Sequence, residues 1–342
     1  VVDDDEGSDD GSAPYATVQA AIDAANADQT ILVKSGDYGS FTVNKDVTVV
    51  AANAPDSGSP ASVDGRIKVE VDGVTVKGLR VNPQSLDPSS EAEAIFIGNP
   101  EGFNDQTGER VVIDSTFIES FSFSEGSTAE AIHAKAYSNQ IEGLTISNNY
   151  IEGVEQTNAG ANGMKLQADL KDVDVVDNTV EDIKGAWSYG IGLTYSSGET
   201  SYPKSVVIER NLLAVPAPTA GEVGLDDVNA NGVTVSHNNF VGSGLDLGHY
   251  NANQDEFTDG TLVADNNWFG TDGIQKGVTP EGAENEFDGS IEASYKEKSD
   301  TSIEAETTDK FGIVNEFAIN LAPADYSLTT SIIPSGAEET PS

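Results

Sequence analysis

The sequence predicts an all-β protein in which short parallel strands wind into a solenoid of about nine coils. One observation is a repeat of roughly thirty residues, each with a β-branched run, an Asn and a following apolar residue. Another is a second short apolar run in every period, for example at 131–134 and 163–166. Because one period cannot bury its apolar residues alone, successive periods are expected to stack about 4.8 Å apart and share one core.

The recurring Asn residues are expected to stack at one corner of the coil. A sharp turn between strands needs a residue that tolerates left-handed backbone, and Asn does so readily. Stacked Asn side chains can also hydrogen-bond from one coil to the next. Ser115 and Gly78 take the Asn place in earlier periods. The predicted ladder consists of Asn149, Asn178, Asn211, Asn239 and Asn267.

One short helix and three strands are predicted before the repeat. The segment 15–26 has apolar residues at helical spacing, namely Val18, Ala21, Ile22 and Ala25. This pattern predicts a single amphipathic helix that caps the solenoid. The β-branched runs that follow, broken by Gly, Asn and Asp, predict strands at 30–34, 41–43 and 47–50.

The chain divides into three predicted segments. Residues 1–13 form an acidic N-terminal segment, 14–285 form the solenoid, and 286–342 form an acidic linker with further strands. The strands of the last segment either cover the open end of the solenoid or pair with a neighbouring subunit by strand addition. In the second case the chain is its own partner, in a homo-oligomer or filament.

The composition excludes several classes of function. The chain has 58 acidic and 17 basic residues, and its formal net charge is −41. Nucleic acids and anionic membranes attract basic surfaces, so neither is an expected partner. Insertion into a membrane is not expected, because no run of about 18 apolar residues occurs. With no Cys and three His, disulfides, thiolate nucleophiles and cysteine-bound zinc are excluded.

The negative charge favours a protein that works in concentrated salt. Near molar salt the screening length falls to about 3 Å, which largely removes the self-repulsion of such a surface. The Asp-rich and Lys-poor composition resembles that of proteins from salt-in halophiles, archaea above all. The chain begins without Met and with a polar segment, as a secreted protein does after its leader is removed. An extracellular or cell-surface location is therefore expected.

The start of the predicted solenoid carries a family resemblance. The segments 16–23, 31–38 and 47–50, with Tyr38 in a Gly-x-Tyr turn, resemble the start of pectinesterase-type proteins of the pectin-lyase-like superfamily. The resemblance covers about residues 14–285 and implies a right-handed parallel β-helix capped by a short helix. It implies no esterase residue, because Gly39 and Ser40 follow Tyr38 where these proteins have an acidic residue.

Polysaccharide lyases of this superfamily indicate where chemistry could occur. They use outward-facing residues of one parallel sheet, where carboxylates hold Ca²⁺ to neutralise a uronate and a Lys, Arg or His removes the α-proton. Alternation along the strands predicts which residues point inwards: Ile132, Met164, Ile191, Val223 and Leu245. The residues that follow them then lie outwards, and His133, Lys135 and Lys165 become the catalytic candidates.

Further candidates follow from the same alternation. Asp226 and Asp246 fall on later coils of this outward face, with Asp227 beside Asp226, which makes these three the candidate calcium ligands. Aromatic residues that could stack on sugar rings flank the strands: Phe96, Tyr137, Trp187, Tyr189, Tyr195 and Tyr250.

Two functions remain open at this level. The first is a non-catalytic scaffold, adhesin or assembly subunit, which the missing esterase motifs and the strand-rich C-terminal segment favour. The second is an extracellular uronate lyase or glycan-binding protein that uses the face around His133, Lys135 and Lys165. A viral fibre is a third alternative, because such proteins use similar coils.

Overall fold

The computed structural model of the chain describes residues 1–3, 15–89, 92–100, 103, 110–137, 140–194, 202–215, 221–226, 232–240, 247–250, 261–267 and 290–295. Across these residues the chain is an all-β parallel solenoid with little helix. The helix predicted at 15–26 is present but short, as α1 (Val18–Ala24). No helix of the described part is long and apolar enough to cross a membrane.

The strands are short, as the β-branched runs predict, and are numbered in chain order. They are β1 (Gln29–Val33), β2 (Gly36–Val43), β3 (Val47–Ala51), β4 (Ala61–Val69), β5 (Thr75–Lys77), β6 (Arg80–Asn82), β7 (Glu93–Ile97), β8 (Val111–Asp114), β9 (Phe117–Ile118), β10 (Phe121–Phe123), β11 (Ala129–Lys135), β12 (Ile141–Ser147), β13 (Tyr150–Ile151), β14 (Val154–Gln156), β15 (Ala161–Gln167), β16 (Leu170–Val176), β17 (Thr179–Glu181), β18 (Ile183–Gly185), β19 (Ser188–Thr194), β20 (Lys204–Glu209), β21 (Leu212–Ala214), β22 (Gly221–Asp226), β23 (Val233–Ser236), β24 (Asn239–Phe240), β25 (Leu247–Tyr250), β26 (Thr261–Asn267) and β27 (Ser290–Tyr295). A 3₁₀ turn spans Pro83–Ser85.

Helix α1 closes the first coil by packing its apolar side on β1 and β2. Thr17 is its N-cap, and the Thr17 Oγ1 accepts a hydrogen bond of 3.1 Å from the Ala20 N–H. Val18, Ala21 and Ile22 are buried, as their helical spacing predicts.

The strands form three sheets with parallel pairing. The first sheet has ten strands in the order β1-β3-β5-β8-β12-β16-β20-β23-β26-β27. The second sheet has the order β24-β21-β17-β13-β9-β6-β4-β7-β11-β15-β19-β22-β25, and β2 pairs with β4. A third sheet contains β10, β14 and β18. Apolar side chains of successive coils meet inside these sheets. The right-handedness of the coil and the count of about nine coils stay predictions.

The core is built from residues at equal positions of successive coils. Ile95, Ile132, Met164, Ile191 and Val223 are paired one after another along the second sheet, and all are fully buried. The prediction that Leu245 follows Val223 is wrong, because Val223 pairs with Leu247. A shift of two residues keeps the same side chains facing inwards, so the alternation of Gly-Leu-Asp-Leu does not distinguish the two registers.

A ladder of polar side chains runs along one corner inside the coil. The Asn149 Nδ2 donates to the Asn178 Oδ1 at 2.9 Å, and the Asn178 Nδ2 donates to the Asn211 Oδ1 at 3.0 Å. Each backbone N–H also donates to the same oxygen of the next ladder residue. The members of the ladder are Thr116, Asn149, Asn178, Asn211, Asn238 and Asn267.

Two predicted members of the ladder are displaced by one residue. Asn238 takes the place predicted for Asn239, which instead lies in β24 opposite Leu212. Thr116 takes the place predicted for Ser115. The left-handed backbone is found at the residue before the ladder residue, with φ between 53° and 58°: Ser115, Asn148, Asp177, Arg210 and His237. The prediction that the ladder Asn itself is left-handed is therefore wrong.

A second polar network lies next to this corner, around Asp114. Its carboxylate accepts hydrogen bonds from Ser147 Oγ and Asn148 Nδ2, both at 2.9 Å, and pairs with Lys77 Nζ at 2.7 Å. Burial raises the pKa of Asp114, but the hydrogen bonds from Lys77, Asn148 and Ser147 outweigh burial and lower it overall. Its ionised form is therefore the one that the fold stabilises.

We expect Asp114→Asn to lower the free energy of unfolding by about 1–3 kcal/mol at neutral pH, because three donors lose a charged acceptor. A lowered folded-state pKa stabilises the protein above the ordinary value of 3.8, and this contribution is lost as the pH falls through the lowered pKa. Denaturant unfolding of the parent and the variant, at neutral pH and below pH 3.8, measures the free energy of unfolding that the variant loses at each pH. The variant's deficit should shrink in acid, and an equal deficit at both pH values would contradict the expectation. Asp174→Asn, at the exposed pair with Arg110, is the control and should cost under about 1 kcal/mol.

Candidate functional site

The outward side of β7, β11 and β15 carries a cluster of ionisable side chains, which we call the β11 face. Strand register defines its rows: Glu93, Glu130 and Asn162 lie at one level, Phe96, His133 and Lys165 at the next, and Lys135 and Gln167 at the third. Gly192 and Gly224 continue the middle row. The middle row is the outward column predicted from alternation.

His133 lies at the centre of the β11 face and is 6% exposed. Its Nε2 lies 3.1 Å from the Gln167 Oε1, and its Nδ1 lies 3.5 Å from the Glu93 Oε1. Because the amide oxygen accepts, the Nε2 carries a hydrogen in this arrangement.

Two ion pairs hold the carboxylates of this face. Lys165 Nζ lies 3.1 Å from Glu130 Oε1, and Arg66 Nη2 lies 3.5 Å from Glu93 Oε2. Burial raises the pKa of Glu93, but the contacts with His133 and Arg66 outweigh burial and lower it. Glu93 is therefore a carboxylate at neutral pH.

Two aromatic rings cover one side of the cluster. The Phe96 ring meets the His133 ring edge-on, with 5.4 Å between centroids, and Arg66 lies 4.8 Å from the Phe96 centroid. Lys135 Nζ lies 4.7 Å from the centroid of Tyr137. Burial and the charge of Glu93 raise the pKa of Tyr137, so its phenol keeps its proton. Phe96 is buried by these contacts and offers little surface to a sugar.

Other predicted aromatic residues lie further along the same sheet. Trp187 is 43% exposed just before β19. Tyr189 is buried, and its ring lies over Gly192, where a Cβ would come within 2.9 Å of the ring. Tyr250 lies in β25, paired with Asp226 of β22. Tyr195 lies outside the described residues.

Of the three predicted calcium ligands, one lies among the described residues. Asp226 pairs with Thr194 and Tyr250, whereas Asp227 and Asp246 lie outside the described residues. Asp246 does not take the predicted place beside Gly224, because Gly248 pairs there. This change comes from the same two-residue register shift that pairs Val223 with Leu247.

Potential metal ligands occur elsewhere, at Glu93, Glu130 and His133, whose ligand atoms all lie within 4.8 Å of one another. The resemblance implies Ca²⁺, which takes six to eight oxygen ligands. An imidazole nitrogen among two carboxylates does not fit that preference. This donor set therefore does not fit calcium.

The sequence analysis missed Arg66, Glu93 and Glu130. Strict alternation predicts that Glu130 points inwards, as Ile132 does. In the structure Glu130 pairs with Asn162 and Ile132 with Met164, and the pairing of β11 with β15 omits Ala131 between them. At the equivalent position, a Cβ on Gly163 would lie 2.5 Å from the core atom Val180 Cγ1. Two successive residues thus face the core, which turns Glu130 outwards. The recurrence of Glu-Ala-Ile at 93–95 and 130–132 is the signal that could have revealed the pair.

Comparisons with known proteins give only distant likeness. No protein-family model matches the sequence, and a comparison with curated proteins gives no match. A PL6 alginate lyase in complex with a trisaccharide matches at 13% identity and TM-score 0.44, over 73% of this chain and 50% of that chain. The Dettilon tailspike protein matches at 13% identity and TM-score 0.33, over 80% and 62% of the two chains.

The A-module of the mannuronan C-5 epimerase AlgE6 from Azotobacter vinelandii matches at 13% identity and TM-score 0.26, over 82% and 95%. The chain thus spans about half the length of the alginate lyase and less than two thirds of the tailspike. The assignment of the fold rests on the strand pairing described above.

Proposed function

We propose that the β11 face binds a uronate-containing polysaccharide and removes the proton next to the uronate carboxylate, as polysaccharide lyases do. The observation that supports this proposal is the convergence of Arg66, His133, Lys135 and Lys165 beside Tyr137 on one face. The whole chain has only 17 Lys and Arg among 342 residues. Cations gathered on one face of such an acidic protein suit an anionic ligand.

The elimination that we propose assigns roles to Lys135, Tyr137 and Lys165. Lys135 acts as the base and takes the proton at C5, the electron pair forms the C4–C5 double bond, and the C4–O bond breaks. Tyr137, whose phenol keeps its proton, donates that proton to the leaving oxygen. Lys165 faces the uronate carboxylate and offsets the charge that develops there.

The middle row continues beyond Lys165 with Gly192 and Gly224. The Tyr189 ring lies over Gly192, so an aromatic surface and not a long side chain follows Lys165 along this row. Trp187, with its exposed indole, lies on one side of this surface and could stack on a sugar ring. We propose that the polysaccharide follows this row along the solenoid, with Tyr195 and Tyr250 as further contacts.

One observation favours the second candidate, a non-catalytic scaffold or adhesin. Glu130, Phe96 and His133 are each at most 6% exposed, and each contacts another member of the cluster. A polar network of this kind also serves to fix the register of neighbouring coils. The two candidates share the same residues and differ in whether a polysaccharide is cleaved.

Incubation with polyuronates in molar salt tests the proposal. Elimination produces a 4,5-unsaturated uronate, which is followed by its ultraviolet absorbance and by mass spectrometry of the oligosaccharides. Cleavage of a polyuronate, with a neutral polysaccharide left intact, is the expected result. Binding without unsaturated products would support the glycan-binding scaffold, and neither binding nor cleavage would overturn the proposal.

The remaining expectations from the sequence stay proposals. We propose that the solenoid is right-handed, has about nine coils and belongs to the pectin-lyase-like superfamily. We also propose an extracellular or cell-surface location and adaptation to high salt. The formal charge of −41 supports the salt adaptation.

We expect the melting temperature to rise steadily from dilute buffer to molar NaCl as repulsion is screened. Calorimetry measures this, and a melting temperature independent of salt would contradict it.

A further inference from the structure

We propose that Glu93, Glu130 and His133 bind a divalent transition-metal ion, with Zn²⁺ as its probe, at a site that Lys165 guards. This site differs from the calcium site that the family resemblance implies, because one of its ligands is a histidine nitrogen. The proposal goes beyond the proposed function and does not depend on polysaccharide cleavage.

The orientation of His133 leaves one nitrogen ready to bind a metal. The Nε2 lies 3.1 Å from Gln167 Oε1, and a hydrogen bond from Nε2–H to that oxygen holds the ring with Nδ1 towards Glu93. Nδ1 makes no hydrogen bond and lies 3.5 Å from Glu93 Oε1. In the neutral ring, Nδ1 and the carboxylate oxygen are both acceptors, and a cation between them satisfies both. The ring itself is 6% exposed, so bulk water does not relieve this contact.

A fourth potential ligand lies one coil further on. Asn162 pairs with Glu130 in the register and is 2% exposed, and its Oδ1 has no hydrogen-bond partner. Buried amide oxygens without a partner are rare in folded proteins. Asn162 therefore offers an unpaired oxygen in the same row as Glu130.

The donor set selects a class of metal ion. Carboxylate and imidazole together suit Zn²⁺ and similar divalent ions, which lie about 2.0–2.2 Å from such ligands. The three ligand atoms already lie within 4.8 Å of one another, so small torsional changes bring them to one ion. Ca²⁺ prefers oxygen ligands and should bind this set more weakly.

Lys165 is the competitor of the metal. Its Nζ lies 3.1 Å from the Glu130 Oε1, and the Lys165 side chain is 19% exposed, so an ammonium group already neutralises one of the ligands. Metal binding must displace this group from Glu130. Removal of the positive charge at residue 165 should therefore strengthen metal binding, an effect that partial unfolding cannot produce.

Calorimetric titration of the full chain with Zn²⁺ and Ca²⁺ in molar NaCl tests the proposal, since salt screens the exposed carboxylates. We expect one Zn²⁺ per chain, with Ca²⁺ at least about tenfold weaker. His133→Gln should weaken Zn²⁺ binding by at least about tenfold, and Lys165→Gln should strengthen it. His237→Gln, at another His–Glu contact of 3.4 Å, should leave it unchanged.

Three results would overturn the proposal. These are no stoichiometric Zn²⁺ binding by the folded chain, equal affinity in His133→Gln, or Ca²⁺ binding as tight as Zn²⁺ at this site. Circular dichroism of each variant confirms its fold. If Zn²⁺ binds but no polyuronate is cleaved, the metal site stands and only the proposed function fails.

Discussion

Asn178→Ala should lower the free energy of unfolding by at least about 3 kcal/mol. Asn178 lies in the middle of the ladder and is fully buried. Its Oδ1 accepts from both the N–H and the Nδ2 of Asn149, and its Nδ2 donates to the Ile146 oxygen and the Asn211 Oδ1. Alanine leaves these groups buried without partners, each at a cost of about 1–3 kcal/mol.

Asn239→Ala is the matched control, because Asn239 is as deeply buried but lies outside the ladder. Its Nδ2 has no hydrogen-bond partner, so alanine removes an unsatisfied donor, and a loss of only about 1 kcal/mol or less is expected. Denaturant unfolding followed by circular dichroism compares the two variants. Equal losses would show that the ladder contributes no more than ordinary packing.

Lys135→Gln should lower the rate of polyuronate cleavage by about 100-fold or more, as removal of a general base does. Lys135 lies over the Tyr137 ring, beside the proposed acid of the reaction. Glutamine keeps the polar stem but cannot accept the proton at C5. The initial rate of formation of unsaturated uronate, measured at saturating polyuronate, gives the change in kcat.

Lys184→Gln is the control for this prediction, since it removes the same charge from a strand of the third sheet. Lys184 is 49% exposed at the side chain and pairs only with Asp182 among the ion pairs of the described residues. Its rate should stay within about twofold of the parent. If both substitutions lowered the rate equally, the effect would come from net charge, and Lys135 would have no special role.

Periodicity made most of the fold predictable from sequence. The β-branched runs gave the strands, and the spacing of Val18, Ala21 and Ile22 gave the helix. Register was less predictable wherever two choices satisfied the same pattern. Asn238 and Asn239 are adjacent, and both fit the repeat, so only the hydrogen bond to Asn211 distinguishes them.

The candidate site was predictable only where the strands alternate regularly. His133 and Lys165 lie where alternation places them, in one row of the β11 face. Glu130 does not, because two successive core-facing residues interrupt the alternation before Ile132. Arg66 belongs to a different coil and has no pattern of its own, so its contact with Glu93 depends on three-dimensional packing alone.

The constant geometry of the ladder makes the length of this protein adjustable in whole units. Asn178 and Asn211 present the same groups to their neighbours, 33 residues apart. Excision of that interval would let Asn178 meet Asn238 in the same way, with β7, β11 and β15 left intact. Duplication or loss of single coils could therefore lengthen or shorten such a chain during evolution without rebuilding its interior.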